Sequence, residues 1–377
     1  MSGPTESNGG ARPASSPEEG AEWLRGKGKD ADVVLSSRVR LARNLAGRPF
    51  MPRASRDERE EILDSCRSVI LQSGLAQRMM WMALHLASKE ERTLLVERHL
   101  ISQQHARGRL SDGTGGLKEP RAVAASVPDE RLSIMVNEED HLRIQVIRAG
   151  LAFEEAYQAI DAVDDALEQR LDFAFSPRFG YLTACPTNVG TGARLSAMLH
   201  LPALKMTGEL EKVKRAAQDM SLAVRGFYGE GSEAAGDFYQ LSNQTTLGKS
   251  EHVLMHELER EILPQIIRYE RSARAKLLDK RKNALEDQVH RAIGLLTHAR
   301  LMSTEEAMHL LSQVRLGIVC EILKGTDLAA VSRLMLLIQP GHLQQVIGQS
   351  LTQKQRRTAR ATLVRSRLKT SSRKGPG

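Results

Sequence analysis

The sequence predicts an α+β fold, with strands and helices mixed to about residue 265 and a mostly helical region after it. Two patterns predict this. Period-two alternation of apolar and polar residues recurs in short segments of the first two thirds, as in "VVLSSRVRLARN", Val33 to Asn44. From Leu247 nearly every segment to Arg367 instead carries helical spacing, broken by turns near Pro264, Ser303–Thr304, Gly325–Thr326 and Pro340–Gly341. No internal repeat is present.

The elements follow in order. Residues 1–20 are Gly, Pro, Ser and Glu with almost nothing to bury, so they read as a disordered tail. In the Val33 strand, Val33, Leu35, Val39 and Leu41 share one face, and Ser36, Arg38 and Arg40 share the other. Arg56 to Leu75 is a helix, with Ile62, Leu63, Cys66, Val69 and Ile70 at helical spacing, and a second helix covers Glu90 to His99. Residues 105–120 are Gly-rich and polar, a long loop. Arg131–Val136 and Leu142–Ile147 form a hairpin across "NEED". Leu151 to Leu171 is an amphipathic helix, and short strands are expected at 173–175, 180–184, 223–228 and 238–244. Ala193 to His200 reads as a helix. The domains expected are therefore 21–265 and 266–367, with a basic tail at 368–377.

Composition narrows the function. A chain of 377 residues, 41% hydrophobic and 27% charged, can bury a real core. Three scattered cysteines exclude a disulfide framework and a cysteine zinc site and fit the reducing cytoplasm. No apolar run approaches the ~18–20 residues of a membrane span, so no membrane association is expected. The net charge of +8 hints at a polyanion. Much of it, however, sits in the acid-free stretch Arg356 to Lys374, read as a tail first and a binding patch second. With 4% aromatic residues, base stacking and hence nucleic-acid binding are not expected.

Three segments carry candidate chemistry. In "VNEEDHLRIQV" the acids Glu138, Glu139 and Asp140 sit at a hairpin mouth, and Arg143 alternates away from the buried side. In "ACPTNVGTGAR", Cys185, Asn188 and two glycines precede Arg194, which is expected to open a helix; such glycines suit approach of phosphate to backbone N–H groups. Without Lys-Ser/Thr after them this is no Walker loop. In "VRGFYGEGSEAAGDFYQL", Arg225 leads a loop bearing Glu230 and Glu233. Its GxGxxA match at 229–234 is followed by a strand pattern, not the helix a dinucleotide site requires. His252 and His256 have metal-ligand spacing but no third ligand, so no metal site is assigned. Guanidiniums gathered in one half-buried place need anions, and their planar forks match phosphate oxygens. Carboxylates beside them then face something cationic and nitrogen-bearing.

"SSRVRLARN", "NEEDHLRIQ", "CPTNVGTGAR" and "RGFYGEGSEA" resemble, in order, the signature segments of the phosphagen (guanidino) kinases, and more closely those of their bacterial protein-arginine-kinase branch. The resemblance runs from about Trp23 to Arg367 and includes "NQTTLGKSE" and "QPGHLQQ". It implies a catalytic domain with an antiparallel sheet flanked by helices, then a helical C-terminal domain that dimerises. It implies ATP and Mg²⁺, the metal held by phosphates and water. Arg38, Arg40, Arg143, Arg194 and Arg225 would contact the ATP phosphates, with Glu139 as catalytic carboxylate, Glu230 as the second one, and Cys185 and Asn188 near the active site.

The resemblance further implies phosphorylation of arginine side chains in protein quality control. The expected partners are proteins with exposed arginines, a second copy or higher oligomer, a McsA-type activator and a Clp ATPase–protease. Only 35 residues precede Ser36, whereas kinases of free guanidines carry a helical N-terminal domain that closes over a small molecule. That favours a protein acceptor over the alternative, free arginine or another small guanidine. A third reading is a non-enzymatic adaptor, against which the carboxylate pair and five arginines argue. In the C-terminal domain the family's phosphoarginine motif RDxxRA stands as "RRTARA": Arg356, Arg360 and Ala361 match, and Arg357 replaces the acid. Met198 stands where animal members carry an adenine-stacking histidine.

Overall fold

A computed structural model describes residues 21–108, 115–227 and 235–372. The tail expected over 1–20, part of the Gly-rich loop, Glu230 and Glu233 lie outside these residues. The strands are β1 (Val34–Arg43), β2 (Met79–Ala83), β3 (Ala122–Ser126), β4 (Leu132–Val136), β5 (Leu142–Ala149), β6 (Phe175–Ser176), β7 (Gly180–Tyr181), β8 (Ala193–His200), β9 (Leu222–Arg225) and β10 (Phe238–Asn243). All but β6 and β7, which form a small hairpin, join one eight-stranded sheet in the order β2-β3-β4-β5-β1-β8-β10-β9. Every pairing in it is antiparallel.

Helices α1 (Arg56–Gln72), α2 (Lys89–Glu97), α3 (Gln103–Arg107), α4 (Phe153–Glu168), α5 (Pro202–Met206) and α6 (Leu210–Asp219) lie between strands. After the sheet come α7 (Glu251–His256), α8 (Leu263–Lys280), α9 (Lys282–His298), α10 (Thr304–Val319), α11 (Leu328–Leu337), α12 (Pro340–Ile347) and α13 (Gln353–Ser372). Ser55, Ser88 and Ser303 start α1, α2 and α10 with reciprocal capping boxes to Glu58, Glu91 and Glu306.

The alternation read in β1 decides which face is core from Val39 on, but not at Leu35, which a register shift between Val34 and Ser36 turns to the other face with Trp23 and Met198. Val39 and Leu41 join Ile144, Val146, Leu195, Ala197 and Leu199 in one apolar layer. Ile62, Cys66 and Ile70 of α1, Ile160 and Leu167 of α4, and Leu263, Ile266 and Leu277 of α8 belong to the same layer. Among the described residues, apolar clusters cover the other face toward its ends. Met80, Met82, Val123 and Met135 pack with Leu95 of α2 and with Leu100 at one end. Ile147, Met198 and Phe238 pack with Trp23 and residues of α9, α10, α11 and α13 at the other. Its middle is left to polar side chains.

Three local expectations are corrected. Ala193 to His200 is strand β8, not a helix. Ala, Leu and Met favour helices locally, but β8 is central, pairs with β1 and β10 and is buried from Leu195 to His200, so burial on both faces overrides propensity. Pro264 makes no turn; residues 257–262 are π-helical and lead directly into α8. A π turn accommodates the missing proline N–H and the ring that would strike the carbonyl one turn back. Arg356 to Lys374 is not a tail from its start: α13 runs to Ser372, and Ala361, Val364 and Leu368 bury one side of it. Among the described residues no helix is long and apolar enough to cross a membrane.

Candidate active site

In antiparallel strands, residues directly opposite each other point to the same face. Arg40 lies opposite Arg194, and Arg38 opposite Ser196. Ala42 lies opposite Arg143, and Gln240 opposite both Met198 and Arg225. The register therefore brings Arg38, Arg40, Arg143, Arg194 and Arg225, from four strands, onto the polar middle of one sheet face. Arg194 sits there as a strand residue, so no helix N-terminus takes part. The glycines before it serve a different end. A Cβ on Gly190 (φ +112°) would lie 2.8 Å from the Thr246 carbonyl oxygen, and one on Gly192 (φ +67°) 2.7 Å from that of Ala42. They let loop backbone press against backbone.

The cluster repels itself. Burial first, then the charges of Arg143, Arg194 and Arg225, push Arg38 down to about 10. Burial and the charges of Arg38, Arg143 and Arg194 hold Arg40 well below the ordinary guanidinium value. Arg38 Nε donates to Ser196 Oγ at 3.2 Å and Arg194 Nε to the Asn243 carbonyl at 3.3 Å. Arg40 Nε has no partner among the described residues. Such a face is built to receive an anion.

The β4–β5 connection delivers the carboxylates. Arg143 Nη1 donates to Glu138 at 2.7 Å and Nη2 to Glu139 at 3.0 Å. Glu138 also accepts from Ser102 Oγ at 2.6 Å and from the Glu139 amide at 2.8 Å. Burial would raise Glu138, but these contacts, led by Arg143, outweigh it and hold it below the ordinary carboxylate range. Glu139 goes the other way: burial, helped by the charges of Glu138 and Asp140, raises it despite Arg143. Two neighbouring carboxylates thus shift in opposite directions, Glu138 toward the charged form and Glu139 toward the neutral one. Asp140 pins the loop, accepting from Asn44 Nδ2 and from the Ala184 amide, both at 2.7 Å.

Through Ala184 the same contact places the cysteine loop. Cys185 is a half-buried free thiol with Sγ 3.1 Å from Thr187 Oγ1. Asn188 is buried, and Thr246 Oγ1 ties the loop down by donating to the carbonyls of Thr187 at 3.2 Å and Val189 at 2.7 Å. Cys185 and Asn188 therefore stand beside the carboxylate loop, and Glu230 lies outside the described residues.

Comparison with known proteins follows the geometry. Residues 61–273 match the ATP:guanido phosphotransferase C-terminal catalytic domain, and residues 282–376 match the protein-arginine kinase McsB C-terminal domain. The protein-arginine kinase of Halothermothrix orenii is 44% identical over 348 residues, covering 92% of this chain and 96% of that one. That of Symbiobacterium thermophilum is 45% identical over 352 residues, with coverage of 92% and 96%. The chain belongs to the protein-arginine kinase family. This kinase also shares its fold with a lombricine kinase (TM-score 0.54, 24% identity, covering 71% of this chain and 74% of that one). A duplicated taurocyamine kinase from Schistosoma mansoni matches with TM-score 0.55 and 25% identity over 65% of this chain, which spans only 34% of that longer chain.

The kinase holds a feature that sequence reasoning missed. Beside Arg38, Ser36, Ser196 and Met198, a cavity is closed by His99, Trp23 and Phe227, which come from widely separated segments. The His99 ring stands edge-on to Trp23 at 5.1 Å and to Phe227 at 5.2 Å, and burial pushes it down to about 3, so it is an uncharged wall. Met198 lines the same cavity. A lone histidine at the end of a helical pattern gave no signal for this.

In the helical region of the kinase, Arg360 is 2% exposed and donates to the carbonyls of Ile338 at 2.8 Å and Met302 at 3.0 Å. Arg356 donates to the Leu351 carbonyl at 2.7 Å. Both contacts fasten α13 to neighbouring turns.

Proposed function

We propose that this protein transfers the γ-phosphoryl group of ATP to the guanidinium of arginine side chains in proteins. The observation that carries the reading is the five-arginine sheet face beside Glu139, a carboxylate that accepts from Arg143 at 3.0 Å and whose proton affinity burial raises. The arginines would grip the phosphates. The cavity next to Arg38, with apolar and aromatic walls, marks the side of the arginine face where the nucleoside end would lie, and its walls would have to part to admit a base. Mg²⁺ would be held by phosphate oxygens and water, offsetting part of the transferring charge. That suits a face that offers guanidiniums rather than acids, with no protein cage needed.

A guanidinium is a poor nucleophile because its nitrogens are protonated and delocalised. Glu139 orients the acceptor and takes the proton that one nitrogen loses, while Glu230 is assigned the second orienting role. The new N–P bond forms as the bond between the γ-phosphorus and the bridging oxygen breaks, and ADP leaves. The arginine face stabilises charge on the transferring oxygens. The protein acceptor, rather than free arginine, is supported by relatives named protein-arginine kinases at 42–45% identity. Cys185 and Asn188 are assigned to the edge of the acceptor site; of the expected phosphoarginine pair, Arg356 is assigned that role, whereas Arg360, buried and spent on the Ile338 and Met302 carbonyls, holds α13 in place instead. The proposed setting is cytoplasmic protein quality control, as a homodimer or larger oligomer, with a McsA-type activator and a Clp ATPase–protease.

Incubation with Mg-ATP and either an unfolded protein or free arginine, scored for acid-labile phosphate, tests the reading. Transfer to the protein is expected, and transfer to free arginine alone overturns it. The pH dependence adds a second check. Because Glu139 must be ionised and its proton affinity is raised in the ligand-free protein, the acidic limb of kcat/KM should lie above the ordinary glutamate range, with the rate falling as pH drops through it. In Glu139→Asp that limb should move.

A further inference from the structure

We infer that α12 of the helical region is a working part of the nucleotide site, acting through a strap of residues 97–102. At the start of the strap, the Glu97 carboxylate accepts from the amides of Gly341 at 2.7 Å and His342 at 2.9 Å, the first turn of α12. It also accepts from His342 Nδ1 at 2.7 Å, with side-chain exposures of 5% and 0%. The other ring nitrogen, Nε2, lies 3.3 Å from Arg98 Nη1, and Arg98 is paired in turn with Glu130 at 2.6 Å. Such groups tolerate burial only as a complete set, so the junction holds one geometry. A Cβ on Gly341 would lie 2.9 Å from Glu97 Oε2, so the close approach also needs that glycine.

The next residue is His99. Its backbone is left-handed (φ 59°), which turns the chain so that the ring forms a wall of the cavity beside Arg38. Its carbonyl accepts from Gln145 Nε2 at 2.6 Å, and Gln145 lies opposite Arg40 on the arginine face. One residue on, the Leu100 carbonyl accepts from Ser133 Oγ at 3.2 Å. The strap ends at Ser102, whose hydroxyl holds Glu138 at 2.6 Å. Six consecutive residues thus join α12 to the nucleoside cavity and to the carboxylate loop. Glu97 and His342 are positioning residues: neither lines the cavity, and both set where His99 stands.

The inference rests on the nucleotide lying in the cavity beside Arg38, and its test separates the two. Glu97→Gln and His342→Gln, alone and together in the full chain, would be compared for KM with ATP, for Kd of a fluorescent ATP analogue, and for Tm. Each single variant is expected to raise KM and Kd about five- to tenfold. The double variant should exceed neither single by much, because both cut one contact. Lowered Tm with KM and Kd at wild-type values would make the junction merely structural and overturn the inference, as would independent, multiplying effects. If Glu97→Gln does not fold, His342→Gln decides alone. A wild-type protein that binds the analogue but phosphorylates no arginine sinks the proposed function, while Kd still decides the strap; one that binds no nucleotide sinks both.

Discussion

Glu139→Gln is expected to lower kcat for arginine phosphorylation by about 10²–10⁴-fold while leaving ATP binding and folding near wild type. The amide keeps the size and one acceptor oxygen of the carboxylate but cannot take a proton. Arg143 would still be held by Glu138 at 2.7 Å, and Asp140 would still pin the loop to Asn44 and Ala184. Loss of rate without loss of binding is therefore the signature of the missing base. Single-turnover phosphate transfer and the Kd for ATP measure the two separately. A variant with full activity would remove Glu139 from the chemistry.

Arg40→Met should lower kcat/KM by about 10³-fold, the order expected for a guanidinium that stabilises a transferring phosphoryl group. The same substitution should raise the melting temperature of the nucleotide-free protein by about 2 °C or more. Arg40 is held well below its ordinary pKa by burial and by Arg38, Arg143 and Arg194, against the opposing charge of Glu138. It is a cost to the empty fold, and methionine fills similar space without charge. Saturating ATP should reverse the order, since ligand at 100 times Kd adds roughly 2.7 kcal/mol to a protein that binds it. Calorimetry with and without nucleotide reads both effects. A Tm that falls in Arg40→Met would show that the guanidinium is part of the structural framework.

Much of this candidate site is legible in the sequence, and the reason is periodicity. A strand's alternation is a statement about faces, so Arg38 and Arg40 could be placed opposite Val39 and Leu41 from the sequence alone. The hairpin across "NEED" likewise followed from two apolar runs and a short polar link. Arg194 reached the right face by a wrong element, because "RLSAML" is built of helix formers and only its neighbours β1 and β10 make it a strand. Strands β2 and β3, "MMWMA" and "AVAAS", went unread for the same reason. His99, Trp23 and Phe227 were illegible on other grounds: a cavity wall assembled from three distant segments has no period to detect.

The apolar layer beneath the sheet has a further consequence. It runs without a seam from Val39 and Leu195 through Leu263, Ile266 and Leu277 of α8 to Leu285 and Val289 of α9. The change from mixed to helical sequence near residue 265 therefore crosses the interior of one core rather than a hinge between two. Heat should melt the protein in a single cooperative transition, and the sheet and the helices behind it should exchange their most protected amide hydrogens at one common rate. Cutting the chain at that point would release not two modules but two halves of one interior, each with its oily side turned to water.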